Sequence, residues 1–370
     1  MRTALAVSGV AFAVILIFMQ LGFLGAAEYS ALMVFDAFDF DVLIRSSQYQ
    51  HLIASWTFPR DRLDEAKSLP GVDRVTPVYV GLCYWRNPRT GSERGMFLIG
   101  VNPTDRVFRI ADIQCKLARL TVPEFVLIDQ KSRDEFGPQD GRRFGDADIG
   151  VEAELMHRRV RIVDYFSLGM GFVSDGAALT SVQGFQRIRR GQAPDKVSLG
   201  LVKLRPGANV DAVVAALRNY LPDDVEVVTR SEVLAREVRH WVWETSIGLI
   251  FQLGVAVALI VGTAIVYQVL SSDVSNHLPE YATLKAMGYS GSFLALVVLQ
   301  QAVVLAVLGF LPGLAIAAAL YAMTQAAARL PMNLTLARVF FVLGLTVAMC
   351  TISGLGALRK VRSADPADLF

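Results

Sequence analysis

Side chains able to perform catalysis or to bind metal are present in this 370-residue sequence, but their spacing suits neither task. The three cysteines (Cys83, Cys115 and Cys350) form no C-x-x-C pair, and the four histidines are too scattered to be metal ligands. Cys83 and Cys115 would be able to pair in an oxidising compartment, but we expect both to be small buried side chains. No G-x-S-x-G, H-E-x-x-H or Ser-His-Asp arrangement is present. The sequence therefore predicts no catalytic residue, no bound cofactor and no metal site.

One short segment, residues 275–290, carries the start and stop signals of a helix between two apolar runs. Pro279 suits a first helical turn, and Glu280 complements the positive end of the helix dipole. Lys285 complements the negative end, and Gly288 suits the left-handed conformation that ends many helices. These signals predict a short capped helix within residues 273–290.

The same segment has an apolar stripe. Tyr281, Leu284 and Met287 recur at intervals of three residues, which places them on one side of the predicted helix. A short helix with such a stripe and a charge at each end is suited to docking on lipid or on another protein. What it docks on depends on the elements on either side of it.

The composition of the chain indicates whether those flanking elements lie in water or in lipid. Hydrophobic residues make up 53% of the sequence, charged residues make up 19%, and the mean hydropathy is +0.43, which is too apolar for an ordinary soluble protein. The net charge of +2, without a basic cluster, excludes a nucleic-acid binder. Four uncharged runs are long enough to cross a lipid bilayer core of about 30 Å. They are residues 3–27, 245–272, 286–328 and 339–358.

The spans predict a one-plus-three topology. The first run is longer than the apolar region of a signal peptide, so we expect an uncleaved anchor. Lys and Arg residues beside the spans favour a cytoplasmic location for both chain ends and for the short helix. The predicted order is transmembrane helix 1 (1–27), an extracytoplasmic domain (28–240), transmembrane helix 2 (241–272), the cytoplasmic helix (273–290), transmembrane helix 3 (291–328), an outer loop (329–338), transmembrane helix 4 (339–358) and a cytoplasmic tail (359–370).

The extracytoplasmic domain has the pattern of a mixed α/β fold. Short β-branched and aromatic runs predict strands, and two amphipathic stretches, residues 59–67 and 210–221, predict helices between strands. These elements form two split β-α-β units, with an inserted subdomain over about residues 105–190. The predicted fold is an α-helical membrane protein with four transmembrane helices and a large mixed α/β extracytoplasmic domain. The predicted strands are residues 41–45, 72–85, 96–101, 125–129, 160–166, 197–204 and 225–228.

The short helix also carries a resemblance. Its sequence PEYATLKAMG (residues 279–288) resembles the cytoplasmic signature of FtsX-like ABC permeases, the superfamily that includes MacB, LolC and LolE. VKLRPGANVD at residues 202–211 and the one-plus-three topology are similar to that superfamily as well. Four further segments resemble its DevC branch: FAVILIFMQLGF (12–23), PVYVG (77–81), WRNP (85–88) and RSADPADL (362–369). The resemblance implies that the short helix couples to an ATPase through Pro279, Glu280, Tyr281, Leu284, Lys285, Met287 and Gly288.

The resemblance also implies partners and a location. It implies a homodimer in the plasma (inner) membrane, with the large domain in the periplasm, beside a DevA-type ATP-binding subunit, a DevB-type membrane fusion protein and a TolC-like outer-membrane duct. DevC proteins are associated with glycolipid export. The sequence has no G-x-x-x-x-G-K-[ST] loop, so ATP must be hydrolysed by another subunit. We therefore expect a non-catalytic permease of a lipid or glycolipid exporter that transmits ATPase motion to the periplasmic domain.

Two alternatives remain open at the level of sequence. An FtsX-like regulator would use the same membrane plan to transmit ATPase motion to a cell-wall hydrolase. A membrane enzyme would need a catalytic centre in the extracytoplasmic domain, where the only candidates are the adjacent acids Asp223-Asp224 and Asp134-Glu135. Adjacent carboxylates in polar turns are usually solvated, so the enzyme is the weaker alternative.

Overall fold

The chain folds into two compact units. A computed structural model describes residues 2–137, 143–169, 175–191, 193–277, 280, 283–284, 287, 289–328 and 330–363. Residues 1–26 and 245–370 form the first unit, here called the helical unit. Residues 27–244 form the second, here called the α/β unit. The helices are α1 (Arg2–Ala37), α2 (Asp61–Lys67), α3 (Ala111–Lys116), α4 (Val182–Ile188), α5 (Val210–Tyr220), α6 (Arg230–Arg239), α7 (Ser246–Asn276), α8 (Gly291–Ala328) and α9 (Leu336–Ser363).

Four of these helices, α1, α7, α8 and α9, are long and apolar enough to cross a membrane. The apolar part of each has at least 22 residues and a mean hydropathy of 2.0 or more. Their order, one helix before the α/β unit and three after it, confirms the predicted class of membrane protein. The part of the predicted tail that lies beyond Ser363 is outside the described residues. The candidate spans are Val7–Ala37, Ser246–Asn276, Gly291–Ala327 and Leu336–Ala357.

Polar side chains join the helices of the helical unit. Helix α9 packs against both α7 and α8, and the Ser353 hydroxyl donates a hydrogen bond to the Thr263 carbonyl across the α9–α7 contact at 2.9 Å. The Tyr321 hydroxyl of α8 donates to the carbonyl of Phe18 on α1. The Phe18 ring also lies 6.1 Å from that of Phe310. Hydrogen bonds of this kind stabilise helix pairs in lipid, where no water competes for the donor.

The α/β unit is built on a nine-stranded sheet with the order β11-β1-β10-β3-β4-β8-β5-β7-β6, and β2 pairs with β9 separately. Strand β10 lies antiparallel to both β1 and β3, so β1 and β3 are parallel with β10 between them. Strand β1 in turn separates β10 from β11. The two predicted split β-α-β units, β1-α2-β3 and β10-α5-β11, are therefore interlocked. The strands are β1 (Val42–Ser46), β2 (Phe58–Pro59), β3 (Val72–Arg86), β4 (Glu93–Val101), β5 (Phe125–Asp129), β6 (Glu152–Leu155), β7 (Arg158–Phe166), β8 (Ala177–Ser181), β9 (Lys196–Val197), β10 (Leu199–Leu204) and β11 (Val225–Thr229).

The segment predicted as an inserted subdomain, about residues 105–190, extends the same sheet. Strand β8 runs parallel to β4, and β5 pairs antiparallel with β8. The long strand β3 joins the two halves, because its first part pairs with β10 and its second part with β4. Backbone hydrogen bonds therefore run continuously from the split units into the insertion.

The central strands of this sheet are buried on both faces. In β4, Met96 and Leu98 belong to one buried apolar cluster, whereas Phe97 and Ile99 belong to the other. Helices α2 and α5 contribute side chains to the first cluster, and the end of α1 together with α3 and α6 contributes to the second. Strands covered on both faces carry continuous rather than alternating apolar runs, which is the pattern that predicted them.

Of the two cysteines of the α/β unit, Cys83 is buried as predicted and Cys115 is not. Cys83 is buried in β3, where its thiol donates to the Met96 carbonyl at 3.4 Å and burial raises its pKa to about 12. Cys115, which the sequence predicted to be buried, is exposed on α3, and neither residue forms a disulfide. The prediction failed because the buried residue of α3 is its neighbour Ile113, so Cys115 falls on the outer face of this short helix.

A stacked histidine pair lies near the C-terminal end of the α/β unit. The half-buried His51 ring stacks on that of His240 at 4.8 Å, and Trp241 meets it edge-on at 5.7 Å. The buried Nδ1 of His51 has no hydrogen-bond partner among the described residues. Burial, followed by the charge of His240, lowers the pKa of His51 below its ordinary value of 6.5. The folded protein therefore disfavours protonated His51 more than the unfolded chain does.

This pair predicts a loss of stability in mild acid. As the pH falls through about 6.5, the unfolded chain takes up a proton at residue 51 before the folded chain does, so the free energy of unfolding decreases. His51→Phe keeps the ring stack and removes the titration. The measurement is hydrogen exchange in β1 and α6 at a series of pH values from about 7.5 to 5.5. As the pH falls, we expect the free energy of local opening to decrease more in the wild type than in His51→Phe. Parallel pH profiles for the two proteins would contradict this assignment.

Candidate functional site

The predicted docking helix lies in the connection between α7 and α8. Helix α7 ends at Asn276 and α8 begins at Gly291, so the connection is residues 277–290. Three of the predicted site residues, Glu280, Leu284 and Met287, are among the described residues. The other four lie outside the described residues: Pro279, Tyr281, Lys285 and Gly288.

The described part of this connection has helical hydrogen bonding. Glu280 and Leu284 have helical geometry. The Met287 amide donates to the Thr283 carbonyl at 2.9 Å, and the Tyr289 amide donates to the Leu284 carbonyl at 3.1 Å. The i to i−4 bond continues a helical turn, and the longer i to i−5 bond closes it, as is common where a helix ends. Residues 280, 283 and 284 are therefore helical, and the full extent of the helix over residues 273–290 stays a prediction.

The chain then enters α8 through a serine cap. The Ser290 hydroxyl accepts a hydrogen bond from the Phe293 amide at 3.3 Å, which satisfies one of the free donors at the start of the helix. The Ser290 carbonyl also accepts from this amide at 3.0 Å. This cap fixes the direction in which the chain leaves the connection.

Glu280 gives the connection an exposed negative charge. The Glu280 side chain is 73% exposed, and His277 Nδ1 lies 3.1 Å from its Oε1. A hydrogen bond between such exposed groups contributes little to stability, because water solvates both of them. The carboxylate is thus available to a cationic group of a partner.

Large apolar side chains are exposed in the same connection and at the start of α8. Met287 is 63% exposed, Tyr289 is 47% exposed and Phe293 is 43% exposed. The Tyr289 and Phe293 rings pack on each other with their centroids 5.0 Å apart. Leu284 is half-buried beside them in sequence. We call Glu280, Leu284, Met287, Tyr289 and Phe293 the docking patch.

The sequence analysis missed the two aromatic members of this patch. Tyr289 and Phe293 are spaced four residues apart, a spacing at which side chains meet on a helix. They flank the capping residue Ser290, so Tyr289 fell at the end of the predicted cytoplasmic helix and Phe293 in predicted transmembrane helix 3. Exposed aromatic and methionine side chains around a charge are typical of protein interfaces. The patch carries no group suited to acid–base or nucleophilic catalysis except the Glu280 carboxylate.

The acid pairs proposed for a membrane enzyme are engaged in ion pairs. Asp224 accepts from the Arg62 guanidinium at 3.2 Å. Glu135 lies 3.5 Å from the Arg94 guanidinium. Within the part of the chain that the structure describes, no group of three or more His, Cys, Asp or Glu residues is placed to hold a metal ion. These contacts give the enzyme alternative no support.

Comparisons with known proteins agree with this architecture. A family model of the MacB-like periplasmic core domain matches residues 3–220, more than half of the chain, and a model of the FtsX-like permease C-terminal region matches residues 253–366. The solved periplasmic region of MacB from Actinobacillus actinomycetemcomitans is 8% identical with a TM-score of 0.37, over 54% of this chain and 93% of that one. The extracellular domain of the ABC-type transporter YknZ from Gram-positive bacteria is 12% identical with a TM-score of 0.35, over 52% of this chain and all of that one (100%). No curated protein matches the chain.

Four apolar helices in a one-plus-three order, with a large α/β unit after the first helix, have the architecture of a multi-pass membrane permease. The chain belongs to the family of MacB-like, FtsX-like permeases. This family supplies the transmembrane subunits of ABC transporters, and its MacB-like members work with ATPase partners.

Proposed function

We propose that this protein is the permease subunit of an ATP-driven tripartite exporter of the DevC type, with lipid or glycolipid as its cargo. It lies in the inner membrane with the α/β unit in the periplasm. The observation that carries the proposal is the docking patch, an exposed carboxylate and exposed apolar side chains in the short connection between two apolar helices. Such a patch suits a soluble partner protein at the membrane surface.

The proposed partners follow from the same assignment. The sequence has no phosphate-binding loop, so a DevA-type ATP-binding subunit would supply the motor. A DevB-type membrane fusion protein would receive cargo from the α/β unit and pass it to a TolC-like outer-membrane duct. Two copies of the permease would form the membrane core. The DevC-like segments of the sequence support these finer assignments by resemblance.

The proposed mechanism transmits motion rather than performing chemistry. Closure of the ATPase subunit would move the turn that carries Glu280 and Leu284. Helices α7 and α8 leave the two ends of the connection, so both would move with it. The α/β unit would respond by releasing cargo to the fusion protein. Pro279, Tyr281, Lys285, Met287 and Gly288 are the other residues assigned to this coupling.

The test is to capture this protein from its own membranes in a mild detergent and to identify every retained protein by mass spectrometry. Recovery of an ATPase together with a periplasmic fusion protein would support the exporter. Recovery of an ATPase with a cell-wall hydrolase would replace it with the FtsX-like regulator. If no ATPase is retained, the coupling role assigned to residues 279–288 is wrong.

A further inference from the structure

A cavity of about 360 Å³ lies in the α/β unit, where helix α2 packs against strand β3. Its floor is formed by Val75, Pro77 and Tyr79, which alternate along β3 and so face the same side of the sheet. The other walls are α2, the loop after β4 and the first turn of α4. These walls are mainly polar and include Arg60, Lys67, Asn102, Asp105 and Gln183.

The floor contains a buried hydroxyl group without a partner. Tyr79 is only 1% exposed, and its hydroxyl forms no hydrogen bond with any residue that the structure describes. Its ring is held in place by Phe185, at 5.7 Å between centroids. Burial raises the pKa of Tyr79, and the nearby positive charge of Arg60 opposes this rise. The hydroxyl therefore lies close to the Arg60 side of the cavity, and leaving it unpaired there is unfavourable.

Two cations of the cavity wall are also unpaired. Arg60 and Lys67 lie at the two ends of α2 and are exposed. Within the described residues, neither side chain forms an ion pair, and the Arg60 side chain approaches the Tyr79 hydroxyl. Arg60 and Lys67 thus present unneutralised charge to the cavity.

Asp105 supplies an acceptor on the opposite wall. Burial raises the pKa of Asp105, whereas a hydrogen bond from Asn102 at 3.0 Å and the charges of Arg60 and Lys67 act against this rise. Asp105 is thus influenced by both cations without being within ion-pair distance of either. A second carboxylate, Asp64, lines the exposed side of the cavity.

We propose that this cavity binds a phosphorylated polyol. A phosphate ester has three free oxygens and close to two negative charges, which matches the two cations and the Tyr79 hydroxyl as a third donor. The hydroxyl groups of the polyol donate to Asp105, whose carboxylate would otherwise repel a bare phosphate. The volume is within the range of small-molecule sites. Free glycerol phosphate carries this phosphomonoester, whereas the headgroup of phosphatidylglycerol offers the same polyol on a phosphodiester with two free oxygens and one negative charge. Neither ligand depends on the proposed export function.

The test uses the full-length protein in a non-ionic detergent and equilibrium dialysis with radiolabelled glycerol 3-phosphate. We expect saturable binding to the wild type and about ten-fold weaker binding to Tyr79→Phe, because one charge-assisted hydrogen bond is lost. Since the hydroxyl has no partner in the unliganded fold, Tyr79→Phe is expected to keep or raise the thermal unfolding midpoint. Arg60→Met and Lys67→Met are expected to weaken binding at least as much. Arg109→Met, which removes an exposed arginine outside the cavity, is the matched control.

Competition distinguishes the source of the ligand. Displacement of the label by short-chain phosphatidylglycerol, but not by short-chain phosphatidylcholine, would identify the lipid headgroup as a ligand. Lack of displacement by either lipid would assign the site to a free solute. Inorganic phosphate that competes as well as glycerol 3-phosphate would overturn the role of the polyol. If glycerol 3-phosphate shows no saturable binding, or if its binding is unchanged in Tyr79→Phe and Arg60→Met, the site itself would be overturned.

Discussion

Replacing Glu280 and Leu284 together by alanine is expected to remove the coupling between this permease and its ATPase. Glu280 is largely exposed and Leu284 is half-buried, so both changes should cost the isolated permease little stability. In a complex, both side chains would be desolvated against the partner. Loss of a charge and an apolar anchor from one contact weakens binding by roughly 10–100-fold.

The measurement is ATP hydrolysis and cargo export by the reconstituted complex in lipid nanodiscs, with partner affinity measured in parallel. Leu336→Ala is the matched control, because Leu336 is 76% exposed but begins α9 at the other connection. We expect this control to retain wild-type stimulation. Unchanged export and stimulated hydrolysis in the double variant, with the complex still assembled, would show that the docking patch does not couple.

The two side chains should differ in how they contribute. An exposed carboxylate acts mainly through long-range attraction, which salt screens over about 8 Å at physiological ionic strength. Leu284 acts through buried apolar area, which salt hardly affects. The effect of the Glu280 change alone should therefore shrink at high salt, whereas that of the Leu284 change should persist. A common salt dependence would mean that the two residues do not occupy one interface.

Local patterns in the sequence predicted most of the elements of this fold. The seven predicted strands and both predicted helices of the α/β unit are present, because β-branched runs and turn residues act over short distances. The four apolar helices followed from length and composition alone. Split β-α-β pairing was also predictable, since each unit is contiguous in sequence.

Long-range features were not predictable in the same way. Which strand β8 would pair with depends on packing between segments far apart in the chain, so the insertion could not be recognised as part of the main sheet. Cys115 was wrongly placed because a six-residue helix offers too few positions to define its buried face. The orphan hydroxyl of Tyr79 has no signal in sequence at all, since tyrosine is common in strands.

The contact between α1 and α8 is another feature of this kind, and it predicts a large effect. Gly309 and Gly313 are four residues apart on α8, the spacing that lets two helices approach closely in lipid. A Cβ atom at Gly309 would lie 2.5 Å from the Cβ of Val10. One at Gly313 would lie 2.8 Å from a methyl group of Val14 and 3.0 Å from the Ala11 carbonyl oxygen.

Alanine at either glycine is therefore expected to destabilise the helical unit. Val10 Cβ and the Ala11 carbonyl are fixed to the α1 backbone, so relief requires the helices to separate rather than one flexible side chain to turn. Overpacking of this kind costs about 1–3 kcal/mol, which corresponds to a decrease of roughly 3–10 °C in the thermal unfolding midpoint. The midpoint can be measured by fluorescence-detected size exclusion of detergent-solubilised protein.

Gly344 provides the matched control on α9, because nothing lies within 4 Å of a Cβ built there. Alanine has a higher helix propensity than glycine, so Gly344→Ala should leave the midpoint unchanged or raise it slightly. If the unfolding midpoint falls in Gly309→Ala and Gly313→Ala but not in Gly344→Ala, the cause is the α1–α8 contact and not the replacement of glycine by alanine as such. If Gly309→Ala and Gly313→Ala instead behave like Gly344→Ala, helix α1 does not pack against α8 at this point.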